Sequence, residues 1–160
     1  MEARLDMFSQ QAARGFVKRL VGAHRPITES TVPATTQELV KIRASQINGC
    51  SACLDMHTKE ALAAGETPVR LSLVAAWQEA TVFTEAERAA LELAEQGTRL
   101  ADGAGGVTDE AWASAAKHYD DEQLGVLVCL IAGINAFNRL NVMLRQPAGH
   151  YEVGMASPLE

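Results

Sequence analysis

Between Leu124 and Phe137 the chain places apolar residues at almost every angle of a helix: Leu124, Val126, Leu127, Val128, Leu130, Ile131, Ile134 and Phe137. A helix apolar on all sides must be covered on all sides. This stretch therefore demands a bundle of further helices, a neighbouring subunit, or both. The rest of the chain supplies such helices. Only 5% of its residues are aromatic while 48% are hydrophobic, so the core is built mainly from Ala, Leu and Val. That composition suits closely packed helices. No alternating strand pattern of useful length occurs, and the predicted fold class is all-α.

The 160 residues suggest a single domain spanning 1–160. A first amphipathic stripe runs over residues 5–22 through Leu5, Phe8, Ala12, Phe16, Val17, Leu20 and Val21. The two prolines of Ala23–Thr36 read as a loop. A second helix is expected over 36–48, ended by the Asn48-Gly49 breaker pair. A third runs from about Cys50 to Ala64, stopped by Gly65. Further helices are expected at 68–79 and 85–99, the latter behind the capping box Thr84-x-x-Glu87, and at 108–118. The long apolar helix is expected over 120–144. Residues beyond Arg145 read as a tail, and the final Leu159-Glu160 as a cloning scar.

Charge and composition exclude several functions. A formal net charge of -6 and no basic cluster remove the electrostatic footprint of nucleic-acid binding. The N-terminus lacks the apolar run of a secretory leader. No unbroken apolar run reaches the ~18–20 residues of a membrane span. The expectation is a cytoplasmic protein that contacts neither membrane nor nucleic acid. Three cysteines cannot all pair within one chain. In a reducing compartment a Cys-x-x-Cys is redox-active or metal-binding more often than structural. Cys129, inside VLVCLIAG, reads as a small buried hydrophobe.

The segment INGCSACLDMHTK carries the chemistry. At ~100° per residue, Cys50, Cys53 and His57 project from one helix face within about 60° of each other. The i, i+3 thiols reach one another, and His57 reaches Cys53 across i, i+4. Dithiol chemistry needs one thiolate to attack and a second thiol to resolve the product into a disulfide. The helix N-terminus favours a thiolate at Cys50. A proton-accepting imidazole favours one at Cys53. Cys53 is the favoured nucleophile, with Cys50 the more accessible partner. A structural zinc site wants four ligands, and this face offers three.

A relay behind His57 needs a second group, and Glu38 is the candidate. On one straight rod it would stand about 18 Å from Cys50. A reversal at Asn48-Gly49 would bring it back toward His57, where a carboxylate fixes the imidazole tautomer and raises its basicity. Of the other histidines, His24, His118 and His150 receive no role. Trp77, Glu79, Asn135 and Arg139 are read as packing and interface residues, with pocket lining as the alternative. Asp55 is read as solvated, and Met56 as core or interface.

Glu38, then Cys50-Ser-Ala-Cys53, then His57, resembles the alkylhydroperoxidase D family. The likeness centres on residues 36–66 and extends through AAWQEATVFTEAERAALELAE and INAFNRLNVMLR to cover about 5–150. It is closest to the peroxidase-related, carboxymuconolactone-decarboxylase-like branch. The resemblance implies an all-α homo-oligomer, a trimer or hexamer. It implies thiol-dependent reduction of a hydroperoxide substrate by a Cys50/Cys53 dithiol–disulfide cycle, with His57 and Glu38 as proton relay. It also implies a thiol or dihydrolipoyl-type electron donor. Family members often carry a histidine just before the second cysteine, where this chain has Ala52. No metal, flavin, haem or nicotinamide fingerprint is present. The alternatives are a dithiol–disulfide relay or redox sensor without peroxide turnover, a lactone decarboxylase, for which a cysteine pair has no use, and a vestigial scaffold.

Overall fold

The computed structural model describes residues 2–103 and 105–155. Among these residues there are seven α-helices and no strand: α1 (Gln11–Thr28), α2 (Ala34–Asn48), α3 (Ser51–Ala63), α4 (Pro68–Leu73), α5 (Glu85–Thr98), α6 (Asp109–Ala115) and α7 (Asp121–Leu144). Short 3-10 turns precede α1 and follow α4. The Leu159-Glu160 pair lies outside the described residues.

Helix α2 is the centre of the bundle, packed against α3, α5 and α7. Its two sides feed two apolar clusters. Val40 joins Ala90, Leu93, Ala94, Leu127 and Leu130 on the α5–α7 side. Leu39 and Ile42 join Ala61, Leu71, Trp77, Phe83 and Leu91 on the α3–α4 side. Alanines at 89, 90 and 94 let α5 approach closely, which explains how a chain so poor in aromatics still closes its core. Leu127 is fully buried, whereas its neighbour Val128 is 47% exposed. Leu127→Ala is expected to lower the unfolding free energy by about 2–5 kcal/mol, and Val69→Ala, at a 63% exposed position of α4, by less than about 0.5 kcal/mol. Urea titration followed by helical circular dichroism reads both.

Most boundaries follow local signals. The Thr84/Glu87 capping box opens α5, and Asp120 with Gln123 forms a second box that opens α7. Four expectations fail. Helix α1 begins at Gln11 rather than residue 5, and it runs through Pro26 to Thr28 where a loop is expected. Proline removes one helical donor and crowds the carbonyl four residues back. Here that residue is the exposed Gly22, and only half a turn remains to be held. The Arg25–Glu29 ion pair at 2.9 Å and the Thr28 hydroxyl, donating to the Arg25 carbonyl, hold it. The element from Pro68 is a six-residue helix and a 3-10 turn, ending well before residue 79. Helix α6 stops at Ala115, so His118 lies beyond it, exposed.

Helix α7 corrects one further expectation, the burial of Cys129. Its 24 residues include an 18-residue window of mean hydropathy 1.6, so by length and composition it is long and apolar enough to cross a membrane. The core helix of a bundle meets the same measure of length and composition, and 39% of this window is buried inside the fold. Within the bundle it packs on α1, α2, α3 and α5. The opposite strip, with Gly125, Val128, Cys129 and Ala132, faces outward. Cys129 is therefore exposed, not buried.

Candidate redox site at the start of helix α3

Gly49 ends α2 in the left-handed conformation, at φ 66° and ψ 31°. The Cys50 N–H donates to the Ser45 carbonyl at 2.9 Å, which closes the α2 C-terminus. This turn reverses the chain, and Cys50 becomes the N-cap of α3 with its sulfur accepting the Cys53 N–H at 3.3 Å. Cys50 and Cys53 are joined as a disulfide with Cα atoms 5.4 Å apart. Each is 1% exposed, so the expected greater accessibility of Cys50 is absent in this disulfide state.

The same reversal brings α2 alongside α3. His57 Nδ1 lies 3.0 Å from Glu38 Oε2. The other carboxylate oxygen, Oε1, accepts from Lys41 Nζ at 2.5 Å. His57 is 7% and Lys41 5% exposed. With Glu38 ionised, Nδ1 carries the proton of the shared hydrogen bond, and Nε2 is left as a free base on the neutral ring. Burial pushes the Glu38 carboxyl up. The hydrogen bond from His57 and the Lys41 ammonium outweigh it, and the group lies below the usual carboxylate range. Burial is also the strongest influence on His57 and pushes it down. Glu38 opposes and Lys41 reinforces that effect, leaving a neutral imidazole favoured.

His24 of α1, to which the sequence assigns no role, belongs to the same neighbourhood. It packs edge-on to Phe137 at 5.9 Å. Burial first, then Lys41 and His57, lower it to about 4 against the pull of Glu38. The sequence reading also misses Asn141, whose Nδ2 donates to Cys53 Sγ at 3.3 Å. It is the last of three asparagines at three-residue spacing on α7. Asn135 and Asn138 both accept from Asn48 Nδ2 at 2.9 Å, and Asn138 donates to Ser45 Oγ at 3.0 Å. These amides tie the α2–α3 reversal to α7, and so fix where the cysteines sit. Three asparagines at this spacing inside an apolar helix are the signal that would have found them.

Asp55 is not simply solvated. It accepts from the Gly149 N–H at 2.6 Å and the Tyr151 N–H at 3.1 Å, and pairs with Lys59 at 2.6 Å. Glu60 accepts from Gly154 at 2.8 Å and from the Tyr151 hydroxyl. The C-terminal segment thus straps the outer side of α3. Met56 is half-buried. Trp77 is buried, with its indole N–H donating to Glu95 at 3.0 Å, while Glu79 is exposed. Asn135 and Arg139 line a groove of about 510 Å³ between α5, α6 and α7, whose walls include Leu93, Val107, Trp112 and Ile131.

An all-helical chain with a Cys-x-x-Cys pair opening a helix, and a carboxylate–imidazole pair behind it, defines an AhpD-like protein. The carboxymuconolactone decarboxylase family model matches residues 11–96, and the chain belongs to that family. It is 39% identical over 128 residues, 80% of this chain and 86% of the relative, to the uncharacterised protein YdfG of Bacillus subtilis. Among solved structures it is similar to a protein of unknown function from Agrobacterium tumefaciens, named as a candidate AhpD antioxidant defence protein. The TM-score is 0.86 at 30% identity, covering 94% of this chain and all of the other. The fold is shared with the debrominase Bmp8, at TM-score 0.77 and 18% identity over 90% of this chain and 76% of that one.

Proposed function

We propose that the protein is a thiol-dependent peroxidase that reduces an organic hydroperoxide. The observation that carries this reading is the pairing of a Cys-x-x-Cys at a helix start with a buried His57–Glu38 hydrogen bond of 3.0 Å. In the reduced protein, His57 takes the Cys53 proton. The Cys53 thiolate attacks the terminal peroxide oxygen, the O–O bond breaks, and the alkoxide leaves as alcohol with a proton returned from the imidazolium. Cys53 is then a sulfenic acid. The Cys50 thiol attacks that sulfur, water leaves, and the disulfide forms. Glu38 holds the ring with Nε2 free throughout. A dihydrolipoyl-type dithiol returns two electrons and two protons by thiol–disulfide exchange. The chain acts as a homo-oligomer, a trimer or hexamer, which covers the exposed strip of α7.

Ala52 favours a second reading, in which the pair exchanges disulfides with another protein and turns over no peroxide. One experiment separates the two. Fully reduced protein is mixed with cumene hydroperoxide in a single turnover, and thiols and peroxide are counted. Loss of two thiols per peroxide consumed, far faster than for a free thiol, supports the peroxidase. Oxidation no faster than a free thiol removes that reading and leaves disulfide exchange.

A further inference from the structure

We infer that Lys41 is a positioning residue of this site, whose ammonium group, by occupying the second oxygen of Glu38, keeps His57 as the neutral base. The inference rests on the dithiol reading above, but it concerns the protonation of the cluster and is tested separately.

The geometry divides the Glu38 carboxylate in two. Oε2 faces His57 at 3.0 Å and Oε1 faces Lys41 at 2.5 Å. The three side chains are 17%, 9% and 6% exposed for Glu38, His57 and Lys41, so water screens them poorly. A buried carboxylate with only an imidazole beside it would draw a proton onto that imidazole, because a buried charge needs a counter-charge. Lys41 supplies that counter-charge. Glu38 and Lys41 together are neutral, so a proton on His57 would leave the pocket with an uncompensated positive charge. Lys41 also fixes the carboxylate rotation that aims Oε2 at Nδ1. The residue lies one helical turn after Glu38, at i+3, and its own carbonyl accepts from the Ser45 hydroxyl at 2.7 Å.

The other groups around His57 are few. From α1 comes His24, from α2 Glu38 and Lys41, and from α3 Glu60 and the cysteine pair. Glu60 favours the imidazolium, but it is occupied by Gly154 and Tyr151 of the strap. His24 is itself held neutral. Lys41 is therefore the cation that decides the balance on the Glu38 side. A neutral His57 accepts the thiol proton, whereas an imidazolium cannot. Loss of Lys41 should therefore move the acid limb of thiol reactivity to higher pH.

The test is a pH titration of the histidine ring signals in reduced protein labelled at histidine 13Cε1, with His57→Gln used to assign the signal. In the parent, His57 should titrate below 6.5, the ordinary imidazole value. A midpoint above 6.5 would overturn the proposal without any Lys41 variant. In Lys41→Met, or in Lys41→Gln if the first does not fold, the midpoint should rise. The acid limb of iodoacetamide capture by the thiols should rise with it. Lys41→Arg, which keeps the charge, should leave both near the parent. An unmoved His57 midpoint in the uncharged variant overturns the inference, as does an equal rise in Lys41→Arg. If the midpoint moves but no peroxide is consumed, the peroxidase reading fails and the role of Lys41 stands. If peroxide is consumed and the midpoint stays, the reverse holds.

Discussion

Reduced protein carrying Cys53→Ser is expected to consume cumene hydroperoxide at least about 10³ times more slowly than the parent in a single turnover. A serine hydroxyl at this position is a far weaker nucleophile toward peroxide oxygen, and Cys50, two helical turns before His57, lies farther along the chain from the base than Cys53 at i, i+4. The complementary variant sharpens the assignment. Cys50→Ser should still react once, at a rate within about tenfold of the parent, because Cys53, His57 and Glu38 are intact. It should then stop at a sulfenic acid, which dimedone traps, because no thiol remains to expel water. Stopped-flow peroxide loss and intact mass report both outcomes. The opposite pattern, with Cys50→Ser inert and Cys53→Ser trapped by dimedone, would assign attack to Cys50. That would mean the α3 N-terminus, whose Cys53 N–H already points at Cys50 Sγ at 3.3 Å, outweighs the imidazole in forming the thiolate.

His57→Ala is expected to slow the same single turnover by about 10²–10⁴-fold at pH 7, the usual contribution of a positioned acid–base group. Cys53 is 1% exposed in the disulfide form, and burial disfavours a thiolate, so a proton acceptor inside the pocket matters more than it would at the surface. The rate lost should return in part as pH is raised, because bulk hydroxide then replaces the missing base. Parent and variant should converge above the ordinary thiol range near 8.5. Removing His57 leaves the Glu38–Lys41 pair intact, so the carboxylate is not orphaned and the fold should be retained, which thermal melting checks. A variant slowed equally at every pH would show that His57 shapes the pocket and moves no proton.

The local signals that work in this chain are those written over three or four neighbouring residues. The capping boxes at Thr84 and Asp120 and the Asn48-Gly49 stop place helix ends because each satisfies backbone groups next to it. The Cys-x-x-Cys-x-x-x-His spacing is equally local, since two helix turns set it. Proline at 26 misleads because its cost depends on how much helix follows, and on what the exposed Gly22 tolerates. Cys129 misleads because an apolar neighbourhood in sequence covers the whole circumference of α7, while the bundle covers only one side.

By itself the sequence determined the helical class, the two cysteines within one turn, and the histidine on their face, because periodicity and spacing alone fix these. It also raised Glu38 as a candidate through spacing that resembles a family. Only the tertiary structure decided that Glu38 lies 3.0 Å from His57, that Lys41 takes its other oxygen, and that Asn141, 88 positions away, donates to the Cys53 sulfur. Those contacts depend on the angle at which α2, α3 and α7 cross. That angle is set by the packing of side chains from all three helices at once, and no short stretch of the chain contains it.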